Sequence, residues 1–112
     1  MEKVKAILEA TKMDFEMHDN FKIRIKKLKT KAASISFGTR VIRLNKELVN
    51  DPEFVTYLIY HELVHYKLHT RFHSYEFYKL LNSKLGDGKV KYIEKKIHRK
   101  MLEANHISRP FD

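Results

Sequence analysis

Two histidines four residues apart, with a glutamate beside the first, are the chemically dense part of this chain: His61-Glu62-Leu63-Val64-His65. On an α-helix, positions i and i+4 share one face, a turn apart. His61 and His65 can therefore grip one Zn²⁺ ion together, and Glu62 can reach a water bound to it. Two ligands and a general base thus fall within five residues. The plain alternative is a pair of satisfied core histidines. Two imidazoles and a carboxylate on a buried helix need partners, however, and a metal supplies them.

Catalytic zinc generally takes three protein ligands and leaves one position open. His69 and His73 follow the motif. His69 continues the same helical face, but eight residues of helix rise by about 12 Å. Ligand nitrogens on one zinc lie about 3–3.5 Å apart. One straight helix cannot deliver His61, His65 and His69 to a single ion. If the chain turns back between Thr70 and Ser74, His73 becomes the third ligand. Glu76 and Glu94 stay open as alternatives, each making a His₂Glu site. His69 and Tyr66 are then expected beside the site or on its substrate side, and Tyr60 is a further nearby hydroxyl.

These groups need a scaffold. The pattern in residues 2–17, with Val4, Ile7 and Leu8 at helical spacing, predicts an amphipathic helix that Asp19-Asn20 ends. From Phe21 the period changes to two: Phe21, Ile23 and Ile25 alternate with Lys22, Arg24 and Lys26. That predicts a half-buried strand with a basic outer face. Residues 33–37 and 40–44 read as two more strands, with Gly38-Thr39 as the turn between them. The short spacings suggest an antiparallel meander. Asn45 is a suitable cap for a brief helical turn over Lys46 to Val49. Asp51-Pro52 marks a sharp helix start. The helix it opens runs to about Leu68, carries the HExxH residues and should be central, since Phe54, Val55, Leu58 and Ile59 are apolar. Ser74 caps the next helix, with Phe77, Leu80, Leu81 and Leu85 facing inward. Gly86-Asp87-Gly88 breaks the chain, and a last helix from Lys89 to about Ala104 buries Val90, Ile93, Ile97 and Met101. Its charged face, with Lys91, Lys95, Lys96, Arg99 and Lys100, is expected in solvent. His18, His98 and His106 lack spacing partners and are expected at the surface.

Composition fits one domain over residues 1–112. The 43% hydrophobic content can build a core, and three Gly and two Pro argue against long loops. There is no Cys, so zinc ligands must be His or carboxylate. No apolar run resembles a signal peptide or a membrane span. A cytoplasmic protein with no membrane partner is the expectation. The net charge of +9 favours acidic partners, nucleic acid first. Lys-rich solvation is the plainer explanation of the same charge.

The residues around the motif also carry a resemblance. Ile42-Arg43-Leu44-Asn45, then Leu48, Pro52, Tyr57 and Ile59, lead into the HExxH residues, and His73-Ser74-Tyr75-Glu76-Phe77 follows. Over roughly residues 22–85 this resembles the YgjP-like and SprT-like zinc metallopeptidases. They have a strand ending in Leu-Asn or Leu-Ser, a His-Glu-Leu-x-His helix, and a downstream His followed by an aromatic. His65-Tyr66-Lys67-Leu68-His69 also fits a second group, the ImmA/IrrE-like peptidases, but the continuation from His73 to Phe77 favours the first. Residues 31–37 carry neither Trp nor Cys, where YgjP-like proteins usually have Trp-Gly-Ser-Cys. The resemblance implies an α+β minimal zincin: an N-terminal helix, a small three-stranded antiparallel sheet, a central HExxH helix and two C-terminal helices. It implies one zinc per chain on His61, His65 and His73, with Glu62 as catalytic base. It also implies that Arg40, Val41, Ile42, Arg43 and Leu44 form the strand that binds substrate backbone.

Two functions follow. One is a zinc peptidase acting on peptide or protein, with the SprT-like likeness suggesting proteins associated with DNA. The other is a basic nucleic-acid- or protein-binding adaptor whose zinc is only structural. An intact Glu62 and three histidine ligands favour the first. The sequence does not specify an oligomeric state.

Overall fold

The computed structural model describes residues 1–105 and 110–111, with side chains through residue 103 in the first stretch. His106 therefore lies outside the described residues. The elements are α1 (Glu2–Asp14), β1 (Lys22–Lys26), β2 (Ala33–Ser36), β3 (Val41–Asn45), α2 (Pro52–Leu68), α3 (Tyr75–Leu85) and α4 (Asp87–Asn105). No helix among the described residues is long and apolar enough to cross a membrane.

The α+β class and the element order match the sequence expectation, but the sheet is mixed rather than an antiparallel meander. Its order is β1-β3-β2. β2 and β3 form the expected antiparallel hairpin about Gly38-Thr39, while β1 runs parallel to β3. Burial explains why β3 takes the middle. In β3, Val41, Ile42, Leu44 and Asn45 are all buried, whereas β1 exposes Lys22, Arg24 and Lys26. A strand with one charged face suits an edge, and one apolar on both sides suits the centre. The segment 27–32 carries the chain past β3.

Asn45 fixes that crossover. Its buried amide Nδ2 donates to the carbonyls of Leu28 (3.1 Å) and Lys31 (2.9 Å), and its Oδ1 accepts from the Glu47 N–H at 3.1 Å. Residues 46–50 form a turn that Asn45 caps, in line with the brief helical turn expected there.

α2 starts where Asp51-Pro52 indicated: the Asp51 side chain accepts from the Glu53 N–H at 2.9 Å. Its interior is the core of the molecule. Phe54, Val55, Leu58, Ile59, Leu63 and Val64 are all buried against the sheet and the other helices. α2 ends at His69, which adopts the left-handed conformation at φ 53° and reverses the chain. Ser74 then caps α3 through the Phe77 N–H at 3.3 Å. Two boundaries differ from expectation. α1 stops at Asp14, leaving Met13 exposed and folding Phe15 and Met17 into the core. α4 begins at Asp87, because Gly86 alone, at φ 94°, makes the break.

Candidate metal centre

His61 and His65 project from one face of α2, and the reversal after His69 brings His73 back over them. The His73 Nε2 lies 3.1 Å from the Nε2 of His61 and 3.1 Å from that of His65. Among the described residues these three form a group able to hold one metal ion. Nitrogens about 3–3.5 Å apart match bonds of about 2.0–2.1 Å to one zinc. Glu76 is exposed in the first turn of α3, and Glu94 bonds to tyrosines; neither joins the cluster. The donor set fits a metal on its own terms. His65 Nδ1 sits 2.8 Å from the Thr70 carbonyl, which can only accept, so that nitrogen carries the proton. The Nε2 lone pair of His65 then faces the cluster, as a ligand requires.

Packing holds the rings in place. Phe77, fully buried on α3, lies under all three, with ring centroids 4.8, 4.5 and 4.9 Å from His61, His65 and His73. Burial drives the His61 imidazole well below its ordinary range, and the neighbouring His65 and His73 add to it. Burial likewise lowers His65 to about 4, although the Thr70 carbonyl works against this. Neutral imidazole is the form that binds metal.

Glu62 is 5% exposed and faces the same small cavity as the three histidines, a space of about 110 Å³. Burial raises its carboxyl to about 8, with Lys31 and Arg71 pulling the other way. Both cations line the cavity. Arg71 Nη1 donates to the Ile35 carbonyl at 2.5 Å, and its guanidinium lies 3.9 Å from the Phe37 ring centroid. Pro110 and Phe111 line the remaining side, with the Phe111 ring 5.2 Å from His61.

A family model for the YgjP-like metallopeptidase domain matches residues 2–100. The chain belongs to the YgjP-like metallopeptidase family. It is a metallopeptidase, a hydrolase acting on peptide or protein, and the family implies a metal cofactor, which His61, His65 and His73 could hold. An uncharacterized protein of Methanocaldococcus jannaschii is 34% identical over 101 residues, covering 88% of this chain and 92% of its own. One from Aquifex aeolicus is 39% identical over 82 residues, covering 71% and 74%. Among solved structures, the metallopeptidase zymogen jannalysin of M. jannaschii superposes with a TM-score of 0.78 at 34% identity, covering 88% of this chain and 96% of its own. The zymogen abylysin of Pyrococcus abyssi gives 0.81 at 31% identity, covering 88% and 94%.

Other expected site residues stand elsewhere. The Tyr66 hydroxyl donates to Asp19 at 2.7 Å, and its ring packs on Phe21 and Phe37. His69 is exposed and stacks on Phe37. The Tyr60 hydroxyl donates to Asp14 at 2.6 Å. None of the three lines the metal-site cavity. The substrate-strand expectation for Arg40 to Leu44 needs correction. β3 is hydrogen-bonded on both sides, so it has no edge to offer a peptide. The strand beside the site with a free edge is β2, whose Ala33, Ser34 and Ile35 line the cavity. Lys31, Arg71, Tyr57 and Phe111 carried no site expectation. Only Tyr57, one turn before His61 on the same face, had a local signal that could have found it.

Proposed function

We propose that this chain, as one domain over residues 1–112, is a zinc peptidase of the cytoplasm with one zinc per chain. His61, His65 and His73 hold the ion and Glu62 is the general base. The observation that carries this reading is the convergence of the three Nε2 atoms beside a buried glutamate. When bound, zinc supplies Lewis acidity toward a carbonyl and lowers the pKa of a water. Glu62 accepts the proton of the attacking water at its carboxylate and returns it to the leaving amine. A neighbouring dication, with Lys31 and Arg71, favours the ionised Glu62 that this role needs. The outer edge of β2 receives the peptide in extended form, its backbone groups pairing with the strand.

The basic faces support a DNA-associated substrate. Lys22, Arg24 and Lys26 on β1 and Lys91, Lys95, Arg99 and Lys100 on α4 are all exposed. Binding of the intact protein to duplex DNA should then fall steeply as salt rises. No affinity at low salt removes this substrate class and leaves the peptidase standing.

The test of the peptidase reading is metal analysis with Glu62→Gln. Wild type should bind one zinc and cleave an unstructured protein, and the variant should bind zinc without cleaving. A variant that cleaves like wild type overturns the role of Glu62; a wild type without zinc overturns the site.

A further inference from the structure

Behind the metal centre lies a second group of polar side chains that the proposed chemistry does not use. Tyr57, on α2, is one turn before His61 and is buried. Its Oη lies 3.1 Å from His61 Nδ1, the nitrogen pointing away from the cluster. The same hydroxyl donates to Glu94 Oε2 on α4, 37 residues further along the chain. Glu94 is partly buried and also accepts from the Tyr78 hydroxyl, at 3.4 Å on Oε1 and 3.3 Å on Oε2. Three elements thus meet at one carboxylate: α2 through Tyr57, α3 through Tyr78 and α4 through Glu94 itself.

Proton counting gives this arrangement a direction. A tyrosine hydroxyl has one proton to donate, and here Glu94 receives it. The Tyr57 oxygen is left as an acceptor, so the partner at 3.1 Å must donate. His61 Nδ1 therefore carries its hydrogen, and His61 Nε2 keeps the lone pair that faces His65 and His73. Without Glu94 as acceptor, Tyr57 could turn its proton toward Nδ1. The imidazole would then place its hydrogen on Nε2, where a metal must bind. His65 is oriented by a backbone carbonyl. His61 depends on a side-chain relay instead, and that relay can be removed by substitution.

We propose that Glu94 and Tyr57 are positioning residues for the metal centre, with Glu94 fixing the tautomer and ring orientation of His61 through the Tyr57 hydroxyl. This rests on the reading of His61, His65 and His73 as metal ligands. It gives Glu94 a different task from the direct ligation that its chemistry also allows.

The test uses the full chain with Tyr57→Phe, Glu94→Leu, which removes the acceptor, and, as a control sharing Glu94 without touching His61, Tyr78→Phe. Zinc affinity is measured by competition with a chromophoric chelator, and the His61 tautomer by ¹⁵N NMR of the metal-free protein. Metal-free wild type should show His61 protonated at Nδ1. Tyr57→Phe and Glu94→Leu should lose this preference and bind zinc about 10–100-fold more weakly, the usual effect of removing a group that orients a ligand. Tyr78→Phe should stay within about threefold of wild type. A merely structural role would lower the thermal midpoint of the metal-free protein and leave the tautomer alone. That result overturns the proposal, as does wild-type His61 protonated at Nε2. Glu94→Leu abolishing zinc binding while Tyr57→Phe leaves it intact would mark Glu94 as a ligand and also overturn it. A wild type that binds no zinc overturns the metal-site reading and this inference with it, whereas a failed tautomer shift in a zinc-binding protein overturns this inference alone.

Discussion

His69 and His73 have the same side chain and lie four residues apart, yet the backbone gives them opposite positions. His69 occupies the left-handed residue that ends α2, and the reversal there throws its ring outward onto Phe37. His73, past the reversal, falls onto His61 and His65. His73→Ala should therefore lower zinc affinity by at least a hundredfold, and His69→Ala by no more than about twofold, in chelator competition. The reverse ranking would refute the ligand assignment. Glu62 gives a second prediction. Burial lifts its folded pKa to about 8 from 4.5, so the folded chain keeps a proton that the unfolded chain releases. This favours folding below pH 4.5, and the benefit fades as pH rises through 8. His65, lowered to about 4 from 6.5, works the other way, as does His61: their contributions are lost as pH falls below 6.5. The effects oppose each other between pH 4.5 and 6.5, and of these three groups Glu62 alone acts from there to 8. Metal-free wild type should then lose about 2 kcal/mol from pH 6.5 to 8, at about 1.4 kcal/mol per unit. Metal-free Glu62→Gln should lose far less. Urea unfolding at the two pH values decides it, and parallel losses in both proteins would contradict the burial of an ionisable Glu62.

At the scale of elements, periodicity and capping residues made most of the helices and strands legible. Asp51-Pro52 marked the start of α2, and Ser74 the start of α3, because these signals act within one turn of chain. Sheet order was not legible. A six-residue connection such as 27–32 serves a crossover as well as a loop, and the choice depends on which strand buries both faces. That property emerges only when α2 is packed in place. The clustering of His61, His65 and His73 was legible because helical rise excludes His69 from a continuous helix. Lys31 and Phe111 reach the site from distant segments with no shared local pattern, and Arg71, two residues before His73, depends on the path of the reversal. Asn45 joins the two levels, as the residue that closes β3 and also pins the crossover. Asn45→Ala removes three hydrogen bonds and takes the donor from the carbonyls of Leu28 and Lys31. The expected cost is about 2–4 kcal/mol in urea unfolding. A loss below about 1 kcal/mol would mean that the crossover holds itself.

For the whole molecule, the question is what covers the site. Pro110 and Phe111 return from the end of the chain to the free side of β2. The Pro110 carbonyl accepts from the Ala32 N–H at 3.0 Å, and the Phe111 ring meets Tyr57 at 5.8 Å as well as His61. They line the same cavity as Ala33, Ser34 and Ile35 of β2, the strand proposed to receive substrate. The space left, about 110 Å³, suits a few waters better than a stretch of peptide. On the peptidase proposal, Pro110 and Phe111 are therefore expected to obstruct substrate. A chain stopped after residue 105 should cleave an unstructured protein with kcat/KM at least tenfold above the full chain. A synthetic peptide of residues 106–112 added to the shortened protein should compete with substrate and raise KM rather than lower kcat. Phe111→Ala should fall between the two forms, because it keeps the Pro110 hydrogen bond and loses the ring. If the shortened protein binds zinc and remains folded but gains no activity, Pro110 and Phe111 are packing, and the obstruction is refuted without touching the metal site.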